Sequence, residues 1–125
     1  MDRRRHILVV DDNGAIRGLL TVALEEHGDR ITSAAGGSSM RDILKLDPVD
    51  VVVLDIEMPG ESGRSLALYA KELRLPVVLI SGNHESIEFA EHHGFELLRK
   101  PFRLQQLIDA LDAAMASRIR SPKEG

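Results

Sequence analysis

Three short apolar runs, 7–10, 51–54 and 77–80, are rich in β-branched side chains and show no polar alternation. Strands read this way when both faces of a parallel sheet are covered. Two weaker strand candidates accompany them. The segment 30–35 alternates and holds Thr32 and Ser33, and Leu97-Leu98 sits between Glu96 and Arg99. Short, polar strands belong at sheet edges. Between the strands the period becomes helical. Ile16, Leu19, Leu20, Ala23 and Leu24 share one face, as do Leu104, Leu107, Ile108, Leu111 and Met115. Shorter helical patterns cover about 39–46 and 64–73, with a weaker one at 85–93. Gly28 and Gly94 stand where helix C-caps are needed, and Pro76 opens the third strong strand.

Strand and helix therefore alternate five times, which predicts an α/β, doubly wound, five-stranded parallel sheet with helices on both faces. The 125 residues suit one domain, 1–125, with a core at about 6–117 and a tail at 118–125. Composition narrows the function. A formal net charge of -4 argues against a nucleic-acid surface. The basic run Arg3-Arg4-Arg5 reads as a solvated end before the first strand. No apolar stretch approaches the roughly 20 residues that span a bilayer. With no cysteine, thiolate chemistry is excluded, and the reading is a soluble, cytoplasmic protein without nucleic-acid or membrane partners. His84, His92 and His93 read as surface histidines, since no carboxylate pattern supports a metal there.

Chemistry gathers at the strand ends. Asp11-Asp12 follows the first strong run, Asp55 the second, Ser81 the third, and Arg99-Lys100 the weak last one. A parallel sheet brings all four positions to one edge, where open α/β sheets bind ligands. Three carboxylates brought together repel one another unless a cation joins them, and all-oxygen ligands with room for water and a phosphoryl group suit Mg²⁺. Lys100 and the Ser81 hydroxyl suit phosphoryl oxygens, and a carboxylate can act as a nucleophile toward phosphorus. Taken singly, each residue has another use. Asp12 or Asn13 suits a helix cap, Ser81 suits another, and Lys100 suits a solvated charge.

The blocks Val9-Val10-Asp11-Asp12-Asn13, Asp55-Ile56-Glu57-Met58-Pro59-Gly60 with Gly63, Ile80-Ser81-Gly82 and Lys100-Pro101-Phe102 resemble the receiver domains of two-component response regulators, of which the chemotaxis regulator is the minimal example. The resemblance runs from about His6 to Ser117. It implies a flavodoxin-like fold with strand order 2-1-3-4-5 and Asp55 as phosphoacceptor. Mg²⁺ would be held by Asp11, Asp12, Asp55 and the Glu57 carbonyl, and the phosphoryl group by Ser81 and Lys100. Met58, Pro59, Gly82 and Pro101 support the site, with Met58 and Phe102 packed beside it. A cis Lys100-Pro101 bond is also implied. The implied partners are a sensor histidine kinase or a histidine phosphotransfer protein, and the implied role is a non-enzymatic, single-domain phosphorelay switch that signals by protein–protein contact; a homodimer stays open.

Two features depart from the family. Leu97 stands where a switch aromatic is usual, with Phe95 nearby, and the short stretch from Ser81 to Lys100 predicts a shortened or irregular fourth helix. Glu57 and Asn83 stand where the family lines the path of attacking water, and the Glu57 carboxylate is close enough in sequence to reach the metal or Lys100. Two other functions remain in view. One is an interaction module on the same fold that is never phosphorylated. The other is an aspartate-nucleophile phosphatase opening on Asp11-Asp12-Asn13-Gly14, although that chemistry needs an acid where Asn13 stands.

Overall fold

In the computed structural model, which describes residues 4–60 and 62–120, the strands are β1 His6–Val10, β2 Arg30–Ala34, β3 Val51–Asp55, β4 Val77–Ser81 and β5 Glu96–Arg99. The helices are α1 Gly14–His27, α2 Gly37–Leu46, α3 Gly63–Glu72, α4 Glu85–His93 and α5 Leu104–Arg120. All strand pairs are parallel and the sheet order is β2-β1-β3-β4-β5. The polar strand β2 and the short β5 lie at the edges, as their composition predicts.

The missing alternation in the strong runs has a direct cause. Successive side chains point to opposite faces, and both faces are covered. Ile7, Val9, Val51, Val53, Val78 and Ile80 pack with Leu24 of α1 and Leu107 and Leu111 of α5. Leu8, Val10, Val52, Leu54, Val77 and Leu79 pack with Met40 of α2, Leu66 and Ala70 of α3, and Ala90 of α4. A sheet covered on both sides leaves its ends as the places where polar groups can act.

Helix ends follow local chemistry. The Asn13 side chain caps α1 by accepting from the N–H groups of Ala15 and Ile16, and Ser62 does the same for α3. Gly28 and Gly94 close α1 and α4 with φ of 110° and 74°, as predicted. The fourth helix has nine residues, the fewest of the five, so it is short as predicted, but it is a regular α-helix after its first turn. In that turn Ser86 N–H donates to Asn83 and Ile87 N–H to His84, both three residues back, the tighter 3₁₀ pattern.

Three expectations are corrected. Arg5 is no solvated end. Its guanidinium pairs with Asp29 at 3.1 Å and Asp112 at 2.8 Å, joining the start of β1 to α5 and to the turn before β2; Arg3 lies outside the described residues. Ile16 and Leu19 do not face the core: they are 38% and 69% exposed, because the face that meets the sheet runs through Leu20 and Leu24. Leu104 is likewise exposed, and α5 runs on to Arg120, into the expected tail of 118–125. Positions 121–125 of the expected tail lie outside the described residues.

Gly63 shows how closely α3 approaches the sheet. A Cβ there would lie 2.6 Å from the Ile56 Cα, one residue beyond Asp55. Gly63→Ala is expected to destabilise the protein by about 1–3 kcal/mol, read as a lower urea midpoint with an unchanged slope. An unchanged midpoint would show that the loop yields freely.

Candidate phosphoacceptor site

Four strands deliver side chains to one edge of the sheet. Asp11 follows β1, Asp55 ends β3, Ser81 ends β4 and Lys100 follows β5. From β1 the sheet extends to β2 on one side and to β3 and β4 on the other. A crevice forms at such a switch point, and Asp11 and Asp55 stand at it.

Asp11 and Asp55 are buried, at 3% and 4% exposure, whereas Asp12 is exposed. One oxygen from each lies within 4.8 Å of the others. Burial pushes the Asp11 carboxyl above the usual carboxylate range. The Asp55 and Asp12 charges add to this, against the opposing Asn13 N–H bond and Lys100 charge. Three carboxylates at this spacing, one of them open to solvent, fit a hard divalent cation that keeps part of its water.

The Asp55 carboxylate is held from two sides. Oδ1 accepts the Glu57 N–H at 2.9 Å, and Oδ2 accepts from Lys100 Nζ at 3.1 Å. Lys100 in turn donates its backbone N–H to the Ser81 carbonyl at 2.9 Å, so β5 carries the lysine to the end of β4. The Lys100-Pro101 bond is cis, as the resemblance implies. Asp11 is fixed at both ends. Its side chain accepts the Asn13 N–H at 2.9 Å, and its carbonyl accepts from the Arg17 guanidinium at 2.7 Å.

The Glu57 side chain reaches neither the carboxylate cluster nor a hydrogen bond with Lys100. Its Oε2 accepts the Ser81 hydroxyl at 2.6 Å and its Oε1 accepts the Gly82 N–H at 3.2 Å. The Ser81 bond holds Glu57 below its ordinary pKa against a smaller desolvation effect, with help from Gly82 and the Lys100 charge. Ser81 Oγ also lies 3.0 Å from the hydroxyl of buried Ser86. Asn83 is exposed and bonds to the local backbone, its side-chain oxygen accepting the Glu85 N–H at 2.7 Å.

Met58 and Phe102 flank the site from opposite faces, Met58 against the α2–α3–α4 side and Phe102 against the α1–α5 side. Pro59, Gly82 and Pro101 are exposed at its rim. Leu97 is half-buried on the α3–α4 side of β5, and Phe95 stacks on Phe89 with ring centroids 5.8 Å apart. Phe95 therefore packs on α4. His84 and His92 are exposed and His93 half-exposed, as predicted, and no metal-ligand cluster among the described residues includes a histidine. Arg17 and Ser86 escaped the sequence reading, because neither a helical arginine nor a serine in a polar stretch announces a buried contact.

A family model described as "Response regulator receiver domain" matches residues 7–112. The chain belongs to the response regulator receiver domain family. Among curated relatives, the DNA-binding transcriptional regulator NtrC of Azospirillum brasilense is 32% identical over 116 residues, covering 89% of this chain and 24% of the relative. Protein PetR of Rhodobacter capsulatus is 32% identical over 114 residues, covering 88% and 48%. The chain thus spans less than half of either relative. Among solved structures, the Thermotoga maritima response regulator TrrA, in complex with Mg(2+)-BeF, shares 30% identity at a TM-score of 0.79, covering 88% of this chain and 98% of that one. Receiver domains in general accept a phosphoryl group, bind Mg²⁺ at an acidic cluster and interact with histidine kinases and phosphotransfer proteins.

The raised pKa of Asp11 sets a sign. A carboxyl whose folded pKa exceeds its unfolded value stabilises the fold at low pH, and that contribution is lost as pH rises through the folded value. In chelator at neutral pH, Asp11→Asn is expected to stabilise the receiver domain by on the order of 1 kcal/mol. The gain should close as the pH falls through the carboxylate range. Thermal melts across pH check this; a destabilised variant at neutral pH would contradict it.

Proposed function

We propose that this receiver domain accepts a phosphoryl group on Asp55 from a histidine kinase or histidine phosphotransfer protein, and signals through protein–protein contacts. The observation that carries the reading is the pairing of Asp55 with Lys100 at 3.1 Å beside the Asp11–Asp12 carboxylates. A buried acid keeps a lysine and two further acids around it for chemistry that moves negative charge.

In this step an Asp55 carboxylate oxygen attacks phosphorus, and the bond from phosphorus to the donor histidine nitrogen breaks. Its electron pair returns to the imidazole, leaving an acyl phosphate on Asp55. Lys100 follows the charge from the carboxylate to the phosphoryl oxygens, and the Ser81 hydroxyl and Gly82 N–H are donors for the others. Asp11, Asp12, Asp55 and the Glu57 carbonyl would hold Mg²⁺. When bound, that ion neutralises the charge crowded around phosphorus. Release requires only water at the acyl phosphate, so the domain is a self-resetting acceptor with no separate substrate.

The exposed stripe Ile16, Leu19 and Val22, the last 57% exposed, begins one turn from Asp12 on α1. Such a stripe at helical spacing suits the apolar face of a partner helix, and its place beside the acidic cluster suits the phosphodonor. A cytoplasmic location accompanies this function; no helix among the described residues is long and apolar enough to cross a membrane.

With Mg²⁺ and a small phosphodonor, intact mass is expected to show one added phosphoryl group, lost in Asp55→Ala and suppressed by chelator. Leu19→Asp is expected to keep that adduct while slowing transfer from a phosphotransfer protein by about tenfold or more. Absence of any adduct would favour an interaction module that is never phosphorylated. Phosphomonoester hydrolysis surviving Asp55→Ala would instead make Asp11 the nucleophile.

A further inference from the structure

The Ser81 and Gly82 donors already hold an anion, the Glu57 carboxylate, at 2.6 and 3.2 Å. The hydroxyl has one proton, and Glu57 takes it at the shortest of the Ser81 contacts. Its lone pairs are committed too. Asn83 N–H donates to Ser81 Oγ at 2.9 Å. With the Ser81 proton on Glu57, the 3.0 Å contact leaves the Ser86 hydroxyl as donor to Ser81. Ser81 is thus saturated, and it can turn toward Asp55 only by leaving Glu57. Lys100 acts on both anions, bonded to Asp55 and close enough for its charge to stabilise Glu57.

We infer that Glu57 is an internal stand-in for the phosphoryl group, a latch that must leave Ser81 and Gly82 before a phosphoryl group is fully held, and whose departure is passed through Ser86 to the first turn of α4. The inference rests on the phosphoacceptor function proposed above. Its second half follows from what surrounds Ser86. This residue is buried at 4% exposure in a turn that closes through bonds to the third residue back, and the His84 side chain does not cap the helix backbone. When Ser81 swings away, the Ser86 hydroxyl loses its partner in a dry site, and the first turn of α4, which carries it, is the part that must respond. This route to the surface uses hydroxyls and passes by Leu97, so it needs no aromatic at that position.

The test compares wild type, Glu57→Gln and Ser86→Ala by amide NMR, with and without Mg²⁺ plus beryllofluoride, and follows phosphoryl uptake by intact mass. Removing the Glu57 charge weakens its bonds to Ser81 and Gly82. In ligand-free protein, Glu57→Gln is expected to shift the Gly82, Ser86 and Ile87 amides toward their beryllofluoride-bound positions. Beryllofluoride binding should tighten about fivefold, a gain that persists in high salt, where simple charge repulsion is screened. Ser86→Ala is expected to take up phosphoryl groups within about twofold of wild type while its α4 amides lose their response. Ligand-free amides unmoved by Glu57→Gln, binding no tighter than wild type, or a gain abolished by salt would each overturn the latch. An α4 response intact in Ser86→Ala would overturn the relay. Wild type that takes up no phosphoryl group at all overturns the phosphoacceptor function itself, whereas normal uptake with no Glu57 effect overturns the latch alone.

Discussion

Crowding of negative charge at one edge of the sheet is the constraint on which the rest depends. Asp11 and Asp55 are buried beside each other with Asp12 close by, and the bonds that offset their repulsion are Asn13 N–H, Glu57 N–H and Lys100. Such a cluster costs stability when no cation joins it. The protein carries that cost because its core does not depend on this edge. Two apolar layers, one on each face, hold the five strands together below it. The Arg5 pairs with Asp29 and Asp112 add polar links at the opposite end of the sheet. Stability and reactivity are thereby divided between the two ends of the strands.

That division explains what the sequence made legible. Buried strands in a sheet covered on both faces must be apolar at every position, so 7–10, 51–54 and 77–80 identify themselves, and the residues after them mark the reactive edge. The positions of Asp11, Asp55, Ser81 and Lys100 at one edge follow from that reading, whereas the strand order was implied by the resemblance to receiver domains. What failed was the orientation of groups that touch two environments. Periodicity put Ile16 and Leu19 on the core face with Leu20 and Leu24, since an apolar stripe wide enough for both a core and an exposed contact looks the same as a wide core stripe. Arg5 looked like a solvated charge because its partners, Asp29 and Asp112, are distant in sequence.

The site was legible in its charged residues and obscure in its hydroxyls. A carboxylate after a buried strand is expensive and therefore conspicuous, whereas a serine can be solvated, capping or buried at little apparent cost. Ser81 was found because it ends a strand. Ser86 was missed because it lies in a helix start flanked by Glu85 and Glu88, where nothing suggests burial. Glu57 was correctly placed beside Asp55 in the chain, yet its carboxylate turns toward β4. Its own N–H is spent on Asp55, which fixes the backbone, and the two donors at Ser81 and Gly82 then capture the side chain.

These contacts also bear on how a receiver domain can switch with Leu97 in place of an aromatic ring. A swinging ring carries motion by volume, filling a space that the hydroxyl has left. Hydroxyls carry it by valence: Ser81 has one proton and two lone pairs, all committed, so a new acceptor at Asp55 cannot be served without abandoning an old one. The group abandoned is an anion of the same sign as the one arriving, held by the same donors. Exchange of one anion for another keeps the cradle satisfied at both end states, and what changes is where Ser81 points and whether Ser86 has a partner. In that arrangement Leu97 needs only to keep β5 packed while the first turn of α4 does the moving.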